Sequence, residues 1–279
     1  MQTPRISASS YSNTAPLIWS FLYGSNRGKY EMILDNAPAR SAELLANKRV
    51  DAALVPVIAY QLLADLRLIP NVCVGAKEKV KSVCLVTKGE DLQQVKTVSL
   101  DISSKTSVAL TKIIFREFLG FEPIWKDSKP NVEKMLTESD CALLIGDPAL
   151  MIQESGEEKI KDRRPKIKDQ LRKFDLAELW KSYTGFGFVF AMWMANFEKV
   201  EIAKQIDFAH ARDEGLQHLD EIIANYESEI RLPHQEFHKY LTENISFTIS
   251  DSMQKGLELY FSLAHKNGLI EKCKPLNFA

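Results

Sequence analysis

The chain has 279 residues, 45% of them hydrophobic, and its 36 Lys and Arg nearly cancel its 37 Asp and Glu, for a formal net charge of -1. That balance lacks the basic footprint that nucleic acid or an anionic membrane surface requires. No run approaches the ~18 apolar residues of a membrane helix, and residues 1–13 lack an apolar signal core behind a basic end, so a soluble cytoplasmic protein is expected.

Strand-like and helix-like patterns alternate from the start, which indicates an α/β fold. A strand is expected at 5–10, a short helix at 16–23, a strand at 31–34, and a helix at 39–47 with Leu44 and Leu45 on one face. Residues 51–57 (DAALVPV) form a continuous apolar run, as strands buried on both faces do. A helix at 58–66 and strands at 68–74 and 81–87 complete the first series. The second has a strand at 97–100, a helix at 107–118, a strand at 123–125, a helix at 132–136, a buried strand at 141–145 and a helix at 148–154. Residues 157–173 carry eight Lys and Arg against four Asp and Glu and read as a solvated loop rather than a basic patch. A helix at 176–183 and a strand at 185–193 follow, and from Glu198 the pattern is almost wholly helical.

Two α/β series, each followed by one long strand, suggest two lobes joined by crossing strands near 81–87 and 186–193. The first lobe would comprise 1–86 plus 191–279, with the helical tail, and the second 87–190. A single doubly wound sheet with a helical tail has similar periodicities. In both, a ligand sits where strand carboxyl ends, loops and helix N-termini converge. The amphipathic tail suits packing on the first lobe or a homodimer surface.

Several chemistries lack their motifs. There is no G-x-G-x-x-G after a strand, no Walker A run and no G-x-S-x-G elbow. His234 and His238 stand at i,i+4, but Gln235 occupies the place where a zinc protease has Glu, so no metal is expected. Cys73, Cys84 and Cys141 lie in apolar strand-like runs, Cys273 does not, and no C-x-x-C occurs. They read as buried free thiols rather than a zinc or redox centre.

Three segments join a strand end, small polar residues and a helix start: 10–16 (SYSNTAP), 101–107 (DISSKTS) and 146–148 (GDP). Helix N-termini offer unpaired N–H groups and a dipole that favours an anion. Two of them could hold a dicarboxylate without an arginine clamp. The same residues are also ordinary caps: Asp147 before Pro148 reads as an N-cap followed by a proline at the first helical position. Asn13, Thr14, Thr106 and Ser107 fit both descriptions, and Ser82 stands alone before an apolar strand.

In order along the chain, Tyr11-Ser-Asn-Thr-Ala-Pro-Leu17, Asp51-Ala-Ala-Leu-Val-Pro56, Ser82-Val83, Ser104-x-Thr106-Ser107, Gly146-Asp147-Pro148-Ala149-Leu150 and the 175–193 region resemble the chorismate dehydratases of menaquinone biosynthesis. The resemblance spans roughly residues 5 to 195 and rests on the ordered set. The chain departs from the family at Ala177, where Gly is usual, and at 185–188 (GFGF), where a Gly-Leu-Pro-Phe-like run is usual. A sister branch, the 1,4-dihydroxy-6-naphthoate synthases, usually starts S-P-N-D-T. Asn13-Thr14 without that Asp favours the dehydratase.

The resemblance implies a two-lobed type 2 periplasmic-binding-protein fold used as an enzyme. The implied reaction is conversion of chorismate to 3-[(1-carboxyvinyl)oxy]benzoate and water on the futalosine route, with no metal or organic cofactor. The expected catalytic residues are Asn13, Ser82 and Asp147. The expected substrate-binding residues are Tyr11, Ser12, Thr14, Pro56, Ser103, Ser104, Thr106, Ser107 and Gly146. Ser103, Ser104, Thr106 and Ser107 would take one carboxylate, and Asn13, Thr14 and Ser82 the other. The polar segments supply only Asp101 and Asp147 as bases, so either Asp147 or the substrate's own enolpyruvyl carboxylate accepts the proton. The rival class is a non-catalytic binding protein for a small organic acid.

Overall fold

A computed structural model describes residues 3–36, 38–152 and 171–279. The first series is β1 (Arg5–Ser9), α1 (Ala15–Leu22), β2 (Glu31–Asp35), α2 (Pro38–Ala46), β3 (Ala52–Pro56), α3 (Ala59–Leu62) and β4 (Leu66–Ala76). The second is β5 (Val83–Thr87), β6 (Thr97–Asp101), α4 (Lys105–Ile113), β7 (Ile124–Ser128), α5 (Val132–Glu138), β8 (Cys141–Ile145), α6 (Gly146–Leu150), β9 (Arg172–Asp175) and α7 (Leu176–Thr184). Then come β10 (Phe188–Asn196) and helices α8 (Val200–Ala203), α9 (Phe208–Gln217), α10 (Leu219–Ile230), α11 (His234–Lys239) and α12 (Asp251–Lys266).

The strands form two five-stranded sheets, ordered β2-β1-β3-β10-β4 and β7-β6-β8-β5-β9. In the first, β3 runs parallel to β1 and antiparallel to β10. In the second, β8 runs parallel to β6 and antiparallel to β5. The all-apolar runs AALVP and CALLI are buried at every position because both strands have a neighbour on each side and packing on each face. The edge strands EMILD and IWKDS mix polar and apolar residues and stay partly exposed. Behind the first sheet, Trp193 packs between Phe21 and Phe208, with ring centroids 6.2 and 4.5 Å away.

The chain passes between the sheets twice, at 77–82 and at 185–187. The expected crossing strands differ from this: β5 and β10 each pair wholly within one sheet, and the boundaries expected at 86/87 and 190/191 fall inside them. The strand expected from 81 begins only at Val83, because Lys81 adopts a left-handed φ of 61°. Asp175 fixes that turn. Its carboxylate accepts from Val80 N at 3.2 Å and Lys81 N at 2.5 Å, and it also caps α7 through Ala177 N and Glu178 N. One buried carboxylate thus ties the outward crossing to the helix that precedes the return.

Other differences are local. The helix expected at 58–66 lasts one turn, because Leu63 already takes an extended ψ of 144° and β4 begins at Leu66. The helix expected at 107–118 is α4 continued by a π-helical stretch, Ile114–Leu119. Arg172 and Lys173, the end of the stretch read as a loop, belong to β9, which pairs with β5. Most of the charged 157–173 stretch, and the end of the helix expected at 148–154, lie outside the described residues. Cys73, Cys84 and Cys141 are buried, whereas Cys273 is exposed.

The C-terminal helices bridge the halves. α12 buries Met253, Gly256, Leu257, Tyr260, Phe261 and Ala264 against β10 and α4. A Cβ on Gly256 would stand 2.1 Å from Gly187 O, so only glycine permits this approach of helix to return crossing. The apolar face of α12 is spent inside the chain.

Asp175→Ala strands the amides of Val80, Lys81 and Ala177 in a buried place and removes a cap. It should cost about 2–4 kcal/mol, read as a lower midpoint in thermal or urea unfolding. A midpoint equal to the parent's would contradict the structural role given to this carboxylate.

Candidate active site between the two sheets

The three polar segments converge on one inter-sheet cavity. The 10–14 loop between β1 and α1 contributes Tyr11, Asn13 and Thr14; the start of α4 contributes Ser104 and Ser107; the end of β8 contributes Ile145 and Gly146. Ser9 also lines it, and Leu54, Pro56, Val74, Val83, Phe190 and Ala191 supply an apolar floor. Of the described residues lining the cavity, Tyr11 alone is ionisable. Burial pushes its phenol up, with the nearby charges of Asp101 and Asp147 adding to this and the Ser103 side chain opposing it. Tyr11 is therefore a neutral hydroxyl at ordinary pH.

Each hydroxyl has a definable job. Thr14 donates to Ser9 O at 2.5 Å and to Tyr11 O at 2.8 Å, so its proton holds the loop rather than facing a ligand. Ser104 is the N-cap of α4, accepting from Ser107 N, and it donates to Ser107 Oγ at 2.9 Å. The Ser107 hydroxyl proton is thereby left for the cavity. Among the described residues the Asn13 carboxamide lines the cavity with no hydrogen bond of ordinary geometry to occupy it, although the buried Tyr240 hydroxyl faces it.

Other expected residues stand behind the wall. Thr106 is buried and accepts from Ile58 N at 3.3 Å, linking α4 to the end of β3, while Tyr260 bonds to its carbonyl. Ser103 donates by N–H and hydroxyl to Asp101 Oδ1. Burial raises the Asp101 carboxyl above its ordinary range, against the Ser103 bonds. Ser82 is fully buried at the outward crossing, and its carbonyl accepts from Gly146 N at 2.7 Å. Tyr240 was missed by sequence reasoning, since nothing distinguishes a tyrosine in the helical tail from a core residue.

Asp147 corrects one expectation. It is not an N-cap: Ile145 holds that place, and α6 has no side-chain cap. Instead its carboxylate reaches across to the other half, accepting from Ser12 N at 3.2 Å and from Ser12 Oγ at 2.5 Å. Beside it, Gly146 has a φ of 61°, and a Cβ there would meet the Tyr11 ring at 2.8 Å. Gly146 is thus required twice, by its backbone and by the ring lying on it. His234 bonds Glu227 and Asp220 on the surface, away from the cavity-lining residues. Among the described residues no cluster of three or more potential metal ligands occurs.

The architecture is that of the periplasmic-binding-protein class. The chain superposes on the periplasmic aliphatic sulphonate binding protein of Escherichia coli with a TM-score of 0.61 at 16% identity, covering 99% of this chain and 93% of that one. An Archaeoglobus fulgidus protein solved by a structural genomics consortium matches with a TM-score of 0.72 at 17% identity, over 95% and 98% of the two chains. The family model described as menaquinone biosynthesis matches residues 4–266, and the chain belongs to that family. It is 32% identical over 217 residues to the chorismate dehydratase of Thermus thermophilus, covering 76% of this chain and 77% of that protein.

Burial holds the Asp147 carboxyl above the ordinary carboxylate range, while its Ser12 bonds pull the other way. A carboxyl raised by folding binds its proton more tightly folded than unfolded, so its ionisation costs stability as pH rises past the usual ~4. Asp147→Asn keeps an acceptor for Ser12 and removes that ionisation. The thermal midpoint of D147N minus that of the parent should increase between about pH 4 and about pH 8. A difference that stays constant over that range counts against a raised Asp147.

Proposed function

We propose that the chain is a chorismate dehydratase acting in menaquinone biosynthesis, converting chorismate to 3-[(1-carboxyvinyl)oxy]benzoate and water. The supporting observation is the cavity's make-up: hydroxyls, a carboxamide and the starts of α1 and α4 around an apolar floor. Such a site suits a flat ring bearing carboxylates, held by neutral donors and helix N-termini without counter-ions. The family and the Thermus thermophilus relative support the same reading.

Dehydration takes the proton from the ether-bearing carbon and the hydroxyl from its neighbour, and the ring becomes aromatic. Among the described residues the lining offers no carboxylate, imidazole or amine to take that proton. Asp147 does not line the cavity, and both of its oxygens lie at hydrogen-bond distance from Ser12. In this reading the substrate's enolpyruvyl carboxylate is the base, and proton and hydroxyl leave together as water. The protein's part is positioning. Ser104 and Ser107 with the first turn of α4 hold one carboxylate, with Ser103 and Thr106 fixing that turn. Asn13 meets the other carboxylate, or the charge developing on it, with Ser82 and Thr14 shaping the wall behind. Tyr11, over Gly146 and facing Ser103, covers the ring, and Pro56 belongs to the floor. The two halves close on the substrate and exclude water, with Ser12 and Asp147 as the contact between them. A biosynthetic step of this kind fits a cytoplasmic enzyme. Among the described residues no helix is long and apolar enough to cross a membrane.

Asn13→Ala should lower turnover by about a hundredfold with an unchanged melting temperature. Turnover within about threefold of the parent removes Asn13 from the mechanism. With the substrate as base, kcat should stay level from about pH 6 to about pH 9, as carboxylates of ordinary pKa are ionised throughout. An ascending limb in that range, lost in Asp147→Asn, would instead identify Asp147 as the proton acceptor.

A further inference from the structure

Tyr240 opens a π-helical stretch, Tyr240–Asn244, that continues α11. Such widened turns recur at functional sites because they displace a side chain from helical register. The stretch is anchored to the outward crossing: Asn244 Nδ2 donates to Lys79 O at 3.2 Å. Tyr240 is only 1% exposed, and its hydroxyl has no hydrogen bond of ordinary geometry. The side chains that face this hydroxyl are those of Ser82 and Asn13. A buried donor left without a firm partner destabilises a fold unless something else requires it.

We propose that Tyr240 is a positioning residue: its buried hydroxyl orients the Asn13 carboxamide toward the ligand cavity, an inference that rests on the dehydratase reading. The phenol can donate to the Asn13 carboxamide oxygen. The two amide protons of Asn13 then turn toward the cavity, where a carboxylate or its developing charge accepts them. Burial raises the phenol well above its ordinary range, so it remains a donor throughout the working pH. Tyr240 does not line the cavity and touches no substrate; it acts through Asn13. Sequence position hides this, since Tyr240 lies more than two hundred residues beyond Asn13.

Tyr240→Phe keeps the ring and removes only the hydroxyl. With chorismate as substrate, kcat should fall by about tenfold or more while KM changes by less than about threefold. The melting temperature should hold or rise, because the hydroxyl has no firm partner to lose. In an Asn13→Ala background the same substitution should cost almost nothing further, the mark of two residues acting as one unit. A parent enzyme that turns over chorismate while Y240F keeps kcat within about twofold overturns the proposal for Tyr240 alone. So does a Y240F rate loss matched by a fall in melting temperature, or one fully additive with Asn13→Ala. A parent chain that leaves chorismate intact overturns the dehydratase reading and this inference with it.

Discussion

The contact that the site depends on is the one made across the cleft by two adjacent residues, Gly146 and Asp147. Gly146 lies under the Tyr11 ring, where a side chain does not fit. Asp147 takes the Ser12 amide and hydroxyl. Tyr11 and the donor Ser12 come from the 10–14 loop of the first half, and Gly146 and the acceptor Asp147 follow β8 in the second. A carboxylate that spans two halves through neutral donors closes a cleft without placing a counter-charge inside it. The Gly146 amide also bonds the Ser82 carbonyl, so the same turn is tied to the outward crossing.

That arrangement decides the electrostatics of the cavity. Ionisable groups nearby, Asp101 and Asp147, are turned away from the ligand space and raised by burial. Dipoles and hydroxyls remain to meet an anion, and these act strongly where water is excluded. An enzyme built this way gains its rate from orientation.

Much of the fold was legible because its patterns are strong. The buried runs 52–56 and 141–145 carry no polar residue, and alternation of strands and helices is regular through both series. The polar loops were legible as a set, because strand end, small polar residue and helix start recur at 10–16, 101–107 and 146–148. What remained hidden depends on tertiary contact. Asp147 looked like a cap by its neighbour Pro148, yet its partner is Ser12, 135 residues away. Thr106 looked like a ligand donor, yet its hydroxyl serves Ile58. The β9 strand was masked by charged neighbours, and the shortened crossing by a left-handed Lys81 that no propensity foretells.

The central claim is that this cavity, whose described lining holds no carboxylate, imidazole, amine or thiol, dehydrates chorismate. Incubating the purified, metal-free protein with chorismate and following products by mass spectrometry and ultraviolet absorbance tests it directly. The account predicts a product lighter by one water with an aromatic absorbance. Unchanged chorismate, with the protein shown to be folded, would contradict it and shift the weight to the sister naphthoate synthase or to a binding protein for a small organic acid.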